Sequence, residues 1–568
     1  MNERQTWRVT AGLAGFFCAA VAATLLYHHA HATANDPWQS PQLLKLQAEL
    51  AASPKEERLK TEIRSLDLTF RQRFFRLRAM DRAGAWLLLG GGFLFLAAAR
   101  RAAALRPAAT VPPPASTLPE EVAAARARRA VAGTGVLLCA GLAAWGGFQQ
   151  APRVSQNAAA PKAPAAAALP DLPPHEEFLA NWPRFRGPDG GGAALRATGP
   201  VAWDEAARKG VLWKTEIPSA GFNSPIVWGD RVFLSGATAE KREVFCFDAR
   251  GGQLLWRQAV EKVQGSPAKA PEVPEQTGYA APTLAADGRR VYAIFANGDL
   301  AALTFEGAPV WSKNLGVPKN QYGHATSLAY WRGRLIVQFD EEGETAGASR
   351  LMALDGATGA AVWEKPRKVS GSWASPIVVE AAGKTQILTA AVPALAAYAF
   401  ADGAELWKAE VLAGEVTPSP VLAGGLVCVV NPSDKVLALK PDGAGDVTKT
   451  HVAWSYEDNV PDVASPVSNG ECVFFVTSGG IMTCLDAKTG AKQWEHDFGT
   501  EIQASPGIAG DRLYVVATDG HAWVAEAGRA YKELGAGVLD DKFFASPAFA
   551  GGRLYLRGNA RLYCLGEK

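Results

Sequence analysis

The chain has 568 residues, room for more than one domain, and its 58 Lys and Arg against 56 Asp and Glu leave a formal net charge of +2. That balance, with no basic tract interleaved with aromatic residues, excludes a nucleic-acid partner held by bulk electrostatics. Its seven cysteines include no adjacent pair and no CxxCH, which excludes c-type haem attachment.

Residues 9–27 form an uncharged apolar run behind Arg4 and Arg8. The run suits a membrane span or a signal peptide. Ala30-His31-Ala32 resembles a small-x-small cleavage site, the length favours an anchor, and retention or cleavage stays open. Cys18 follows Phe16-Phe17, which is not a lipobox. Residues 39–82 predict a helical hairpin. Ser53-Pro54-Lys55-Glu56 is a capping box, followed by Leu59, Ile63, Leu66, Phe70, Phe74 and Leu77 along one face. Residues 83–99 and 130–148 are two further span candidates. The loop between them holds six Arg against two Glu, which places it in the cytoplasm and the chain beyond the third span in the periplasm. Residues 1–150 thus read as an α-helical membrane anchor in a bacterial inner membrane. Residues 151–180, with ten Ala and six Pro, predict an extended, semi-rigid linker, and 181–210 a strap leading into the next domain.

Residues 211–568 are repetitive. The clearest copy begins at Ser465-Pro466 and holds four short strands separated by Asn469-Gly470, Ser478-Gly479-Gly480 and Lys488-Thr489-Gly490. Other copies begin at Ser224-Pro225, Ser375-Pro376, Ser419-Pro420, Ser505-Pro506 and Ser546-Pro547, with degenerate starts near Ala281-Pro282 and Thr326-Ser327. Fourth-strand tryptophans keep step at Trp256, Trp311, Trp363, Trp407, Trp454 and Trp494, with Tyr531 in the seventh copy. Spacings of 37 to 55 residues are blade-length. The eighth copy has three strands, and residues 211–217, with Trp213, supply its fourth. The fold class is therefore all-β: an eight-bladed propeller closed by its own N-terminal strand.

The run Asp486-Ala487-Lys488-Thr489-Gly490 followed by Trp494 resembles the tryptophan-docking repeat of quinoprotein-type, or PQQ-like, propellers. Asp248 with Trp256 and Asp355 with Trp363 repeat the spacing of eight. The resemblance implies that these tryptophans pack between blades. It covers two kinds of protein: quinoprotein dehydrogenases, and non-enzymatic periplasmic propellers such as the outer membrane protein assembly factor BamB. Asn181 to Gly192 (NWPRFRGPDGGG) resembles a segment preceding the propeller in membrane-attached members and reads as a strap packed on it.

The residue three before each copy's opening proline, or before Ser327 in the third copy, sits in the loop entering the innermost strand, where loops ring the channel mouth. These positions are Phe222, Tyr279, His324, Trp373, Thr417, Val463, Gln503 and Phe544. They make an apolar funnel that either binds a ligand or plugs the channel. A dehydrogenase of the resembled family needs pyrroloquinoline quinone, a calcium cage of carboxylates and an amide, an aspartate base and often adjacent cysteines. Here Glu415 and Asp462 only flank the ring, so catalysis is disfavoured and no cofactor or metal is expected. The five propeller cysteines, Cys246, Cys428, Cys472, Cys484 and Cys564, fall in strand patterns and predict buried free thiols. The expected function is that of a membrane-anchored binding scaffold with an envelope protein as partner. The alternative is quinone plus calcium, or another small molecule, in the funnel.

Overall fold

The computed structural model of the protein describes Arg100, residues 172–342 and residues 349–567. The three span candidates and the hairpin lie outside the described residues. Among the described residues, no helix is long and apolar enough to cross a membrane. Residues 151–171 of the expected linker also lie outside. Its end is not extended: His175–Ala180 is a helix whose Phe178 is buried and meets Trp228, Tyr330 and Trp331.

The described residues from 193 onward form eight sheets, each built on four antiparallel strands. In chain order their core strands span 226–259, 285–314, 329–367, 377–409, 421–456, 467–497, 507–538 and 548–565. We number them blades 1 to 8. The eighth is completed by Val211–Glu216, which pairs antiparallel with Arg561–Leu565. Each central strand is buried on both faces, so runs such as Cys472–Val476 are apolar throughout instead of alternating. All five cysteines of the described residues are buried and free.

Two repeated devices set blade against blade. The first is a β-bulge in the outer strand of every blade, one residue before the docking position. The bulge leaves one residue unpaired and twists the strand, which turns the next side chain toward the neighbouring blade. The second is the indole set there. Trp213, Trp256, Trp311, Trp363, Trp454 and Trp494 each donate Nε1–H to a carbonyl of the following blade, at 2.8–3.2 Å. Most stack on a turn glycine there; Gly490, at φ +72°, lies against Trp454. Trp407 differs because blade 5 has a longer third-to-fourth strand connection. It donates to Gln386 Oε1 at 3.0 Å, and Gln386 Nε2 passes the link on to Pro441 O at 2.9 Å.

Tyr531 does not hold the seventh docking position. Gly535 does, paired with Val524, and Tyr531 instead stacks on His496 with ring centroids 3.8 Å apart. A two-residue strand, Trp203–Asp204, adds in parallel to the outer edge of blade 7, and the buried Trp203 indole covers Gly537. A second such strand, Gly445–Asp446, covers the outer edge of blade 4.

Candidate functional site

The innermost strands are joined by one closed circuit. The backbone N–H of Ser224 donates to Thr283 Oγ1, Thr283 to Ser327, Ser327 to Ser375, and Ser375 to Ser419. The circuit continues from Ser419 to Ser465, Ser505, Ser546 and back to Ser224. All eight bonds are 2.9–3.1 Å long and buried. A hydroxyl both accepts here and sits on the residue that donates onward, so each blade repeats the same link. The repetition fixes the true register of the copies.

That register corrects two site positions. Two residues before each hydroxyl lies one half-buried residue followed by a buried one: Phe222, Ala281, Ala325, Trp373, Thr417, Val463, Gln503 and Phe544. Tyr279 and His324 are not among them. Copies two and three lack a proline after the hydroxyl, so counting from Pro282 and Ser327 lands two and one residues early. Tyr279 instead lines a small recess with Thr238, Arg242 and Asn297. His324 is buried against Phe339, and burial lowers its pKa to about 4, helped by Arg350.

The six remaining residues hold equivalent places in the repeat, and their aromatic side chains are paired to neighbours. Phe222 meets Phe544 edge-on at 5.6 Å across the seam between blades 8 and 1. Trp373 packs edge-on against Tyr322 at 4.8 Å and donates Nε1–H to Asn320 Oδ1 at 2.7 Å. Gln503 Nε2 donates to Glu501 Oε1 at 2.6 Å. Thr417 and Val463 add no charge.

The mouth does not fit quinone and calcium. Glu415 accepts the Tyr322 hydroxyl at 3.2 Å, and Asp462 accepts the Ser478 N–H and O–H at 3.1 and 2.7 Å. These acids are engaged on separate blades, and among the described residues no three His, Cys, Asp or Glu side chains converge as metal ligands.

The opposite end of the channel is closed by the strap. Trp182 bridges Val227 of blade 1 and meets Phe549 of blade 8; Pro183 O accepts Ala286 N–H of blade 2. Gly190 abuts Ile377 of blade 4, Arg186 Nη2 donates to Pro466 O of blade 6, and Gly192 O accepts Ile508 N–H of blade 7. A segment of eleven residues touching six inner strands spread around the ring must cross its axis. Sequence reasoning found the strap but not this crossing, which rests on contacts with six separate blades.

The sequence matches the family described as outer membrane protein assembly factor BamB over residues 189–346, 347–469 and 461–533. No curated protein matches it. The fold is similar to quinohemoprotein alcohol dehydrogenase from Comamonas testosteroni, at 12% identity and TM-score 0.52, covering 68% of this chain and 81% of that one. It is also similar to quinohemoprotein alcohol dehydrogenase ADHIIG from Pseudomonas putida HK5, at 12% identity and TM-score 0.51, covering 71% and 83%. BamB from Moraxella catarrhalis is matched at 14% identity and TM-score 0.44, covering 63% and 98%. With family segments spanning more than half its length and four-stranded blades sharing one docking device, the chain belongs to the PQQ-like propeller family of outer membrane protein assembly factor BamB.

Proposed function

We propose that this chain is a non-catalytic binding scaffold of the cell envelope. The anchor in residues 1–150 holds it to the inner membrane, and the propeller takes an extended segment of another envelope protein on its outer edges from the periplasm. One observation carries the reading. The bulged residue of the outer strand is an exposed aliphatic in three consecutive blades: Leu255 at 49%, Val310 at 40% and Val362 at 44% exposure. Single exposed aliphatics are ordinary, but a row on adjacent open strand edges offers both backbone hydrogen bonds and apolar contact to an added strand. The chain already covers two other outer edges in this way, with Trp203–Asp204 and Gly445–Asp446.

A photo-activated cross-linking side chain at Val310 or Val362, in cells producing the full chain, tests this. The expected result is a covalent adduct with a second protein, lost when Leu255 and the other of the two are changed to Glu while the melting temperature holds. Adducts absent at both positions overturn the docking edge. Dye-linked alcohol oxidation dependent on pyrroloquinoline quinone and calcium would overturn the non-catalytic reading.

A further inference from the structure

Arg184 and Arg186 sit on the strap where it crosses the channel axis, and both are 1% exposed. Among the described residues neither has an ion-pair partner. Arg184 donates Nε–H and Nη2–H to Pro188 O at 3.1 and 2.7 Å. Arg186 donates Nη2–H to Gly191 O at 2.9 Å and to Pro466 O. Arg184 Nη1 and Arg186 Nε and Nη1 have no hydrogen-bond partner among the described residues. A buried guanidinium left with carbonyls alone loses its hydration with no opposite charge to replace it. Burial accordingly lowers both groups to about 10, and Asp189, exposed on the strap with its Oδ1 held by Gly191 N–H, only partly offsets this. The carbonyls on this stretch of strap and on blade 6 hold the arginines in place without neutralising them.

An anion would balance the two charges. The strap crosses the ring one to three residues beyond the hydroxyl circuit. The backbone donors of the hydroxyl circuit are consumed around the ring, so none of them faces an axial ligand. Arg186 meets blade 6 at Pro466, three residues beyond the mouth residue Val463, a depth of about 10 Å at strand rise. We propose that Arg184 and Arg186 form the floor of an oxyanion-binding site on the propeller axis, taking the phosphate or carboxylate group of a small molecule that enters between Phe222, Trp373 and Phe544. Two planar guanidinium forks with three free N–H-bearing nitrogens suit such a group better than a spherical halide. The site is independent of the outer-edge scaffold: it lies inside the ring and makes no use of Leu255, Val310 or Val362.

The test is thermal unfolding of the full chain in detergent, at constant ionic strength, with inorganic phosphate or acetate replacing a bulky sulfonate buffer anion. A ligand bound only by the folded state raises the melting temperature. The expected rise is about 2–4 °C near saturation, with phosphate or with acetate, the larger shift naming the head group. Arg186→Gln should unfold at a temperature independent of either anion. Should that variant not fold, Arg186→Lys keeps the charge and loses the fork, and its apparent anion affinity should fall at least about ten-fold. No shift with either anion in the wild type overturns the site. So does an unchanged shift in Arg186→Gln, or unchanged affinity in Arg186→Lys.

Discussion

The backbone N–H of Ser546 donates to Ser224 Oγ at 3.0 Å, joining residues 322 positions apart. It is the eighth link of the inner circuit and the one that turns a row of blades into a ring. The same seam carries other bonds. Ala249 O accepts from Trp213 Nε1, Arg553 Nη1 and the Tyr555 hydroxyl at 3.1, 2.8 and 3.2 Å. Arg557 Nη1 donates to Asn223 Oδ1 at 2.6 Å.

Ser224→Ala removes the acceptor and leaves the buried Ser546 N–H without a partner. The expected cost is about 1–3 kcal/mol, the desolvation penalty of one orphaned donor. Thr358→Ala, which removes an exposed hydroxyl bonded to Asp355, should stay within about 0.5 kcal/mol. Denaturant midpoints of the two variants decide it, and equal midpoints would show that the circuit adds nothing at the seam.

Gly490→Ala should cost about 2–4 kcal/mol. Its φ of +72° is unfavourable for alanine, and the added methyl would stand 2.7 Å from Trp454 Cδ2. Gly425, at φ +82° with nothing within 4 Å, isolates the backbone part, and Gly425→Ala should cost only about 1–2 kcal/mol. If the two variants melt together, the indole has room to move and is not clamped.

His324 makes stability fall in mild acid. Its folded pKa of about 4 lies below the ordinary 6.5, so the neutral ring is favoured in the fold. The contribution is fully present above pH 6.5 and is lost as pH falls toward 4, amounting to roughly 3 kcal/mol over that window. His324→Gln should flatten this part of the pH profile of the melting temperature. An unchanged slope between pH 6.5 and 4 would assign the acid sensitivity elsewhere.

The blade count and the closing strand were legible because each copy carries its own local signals: turn glycines, a hydroxyl-proline start and an indole at fixed spacing. Copies two and three fall out of register when a hydroxyl-proline pair is required at each start. The fixed point is the hydroxyl, which must accept the bond from the preceding blade, and Thr283 and Ser327 serve without a following proline. That requirement, a hydroxyl before an apolar strand, was in the sequence as Thr283-Leu284 and Ser327-Leu328. Trp203 and the two strap arginines were out of reach. Their roles come from two-residue parallel pairing and from carbonyls far along the chain, and neither leaves a periodicity to read.

The seam also sets a timetable for biosynthesis. Val211–Glu216 is made before any blade, yet its partner Arg561–Leu565 comes more than three hundred residues later. At elongation rates of about 5–20 residues per second the first strand waits roughly 20–70 s with its edge unpaired. Every earlier blade can form in that interval, but the ring cannot shut. A ribosome that stalls before residue 561 therefore releases a chain with two sticky ends, the kind of product that quality-control proteases and neighbouring nascent chains find first.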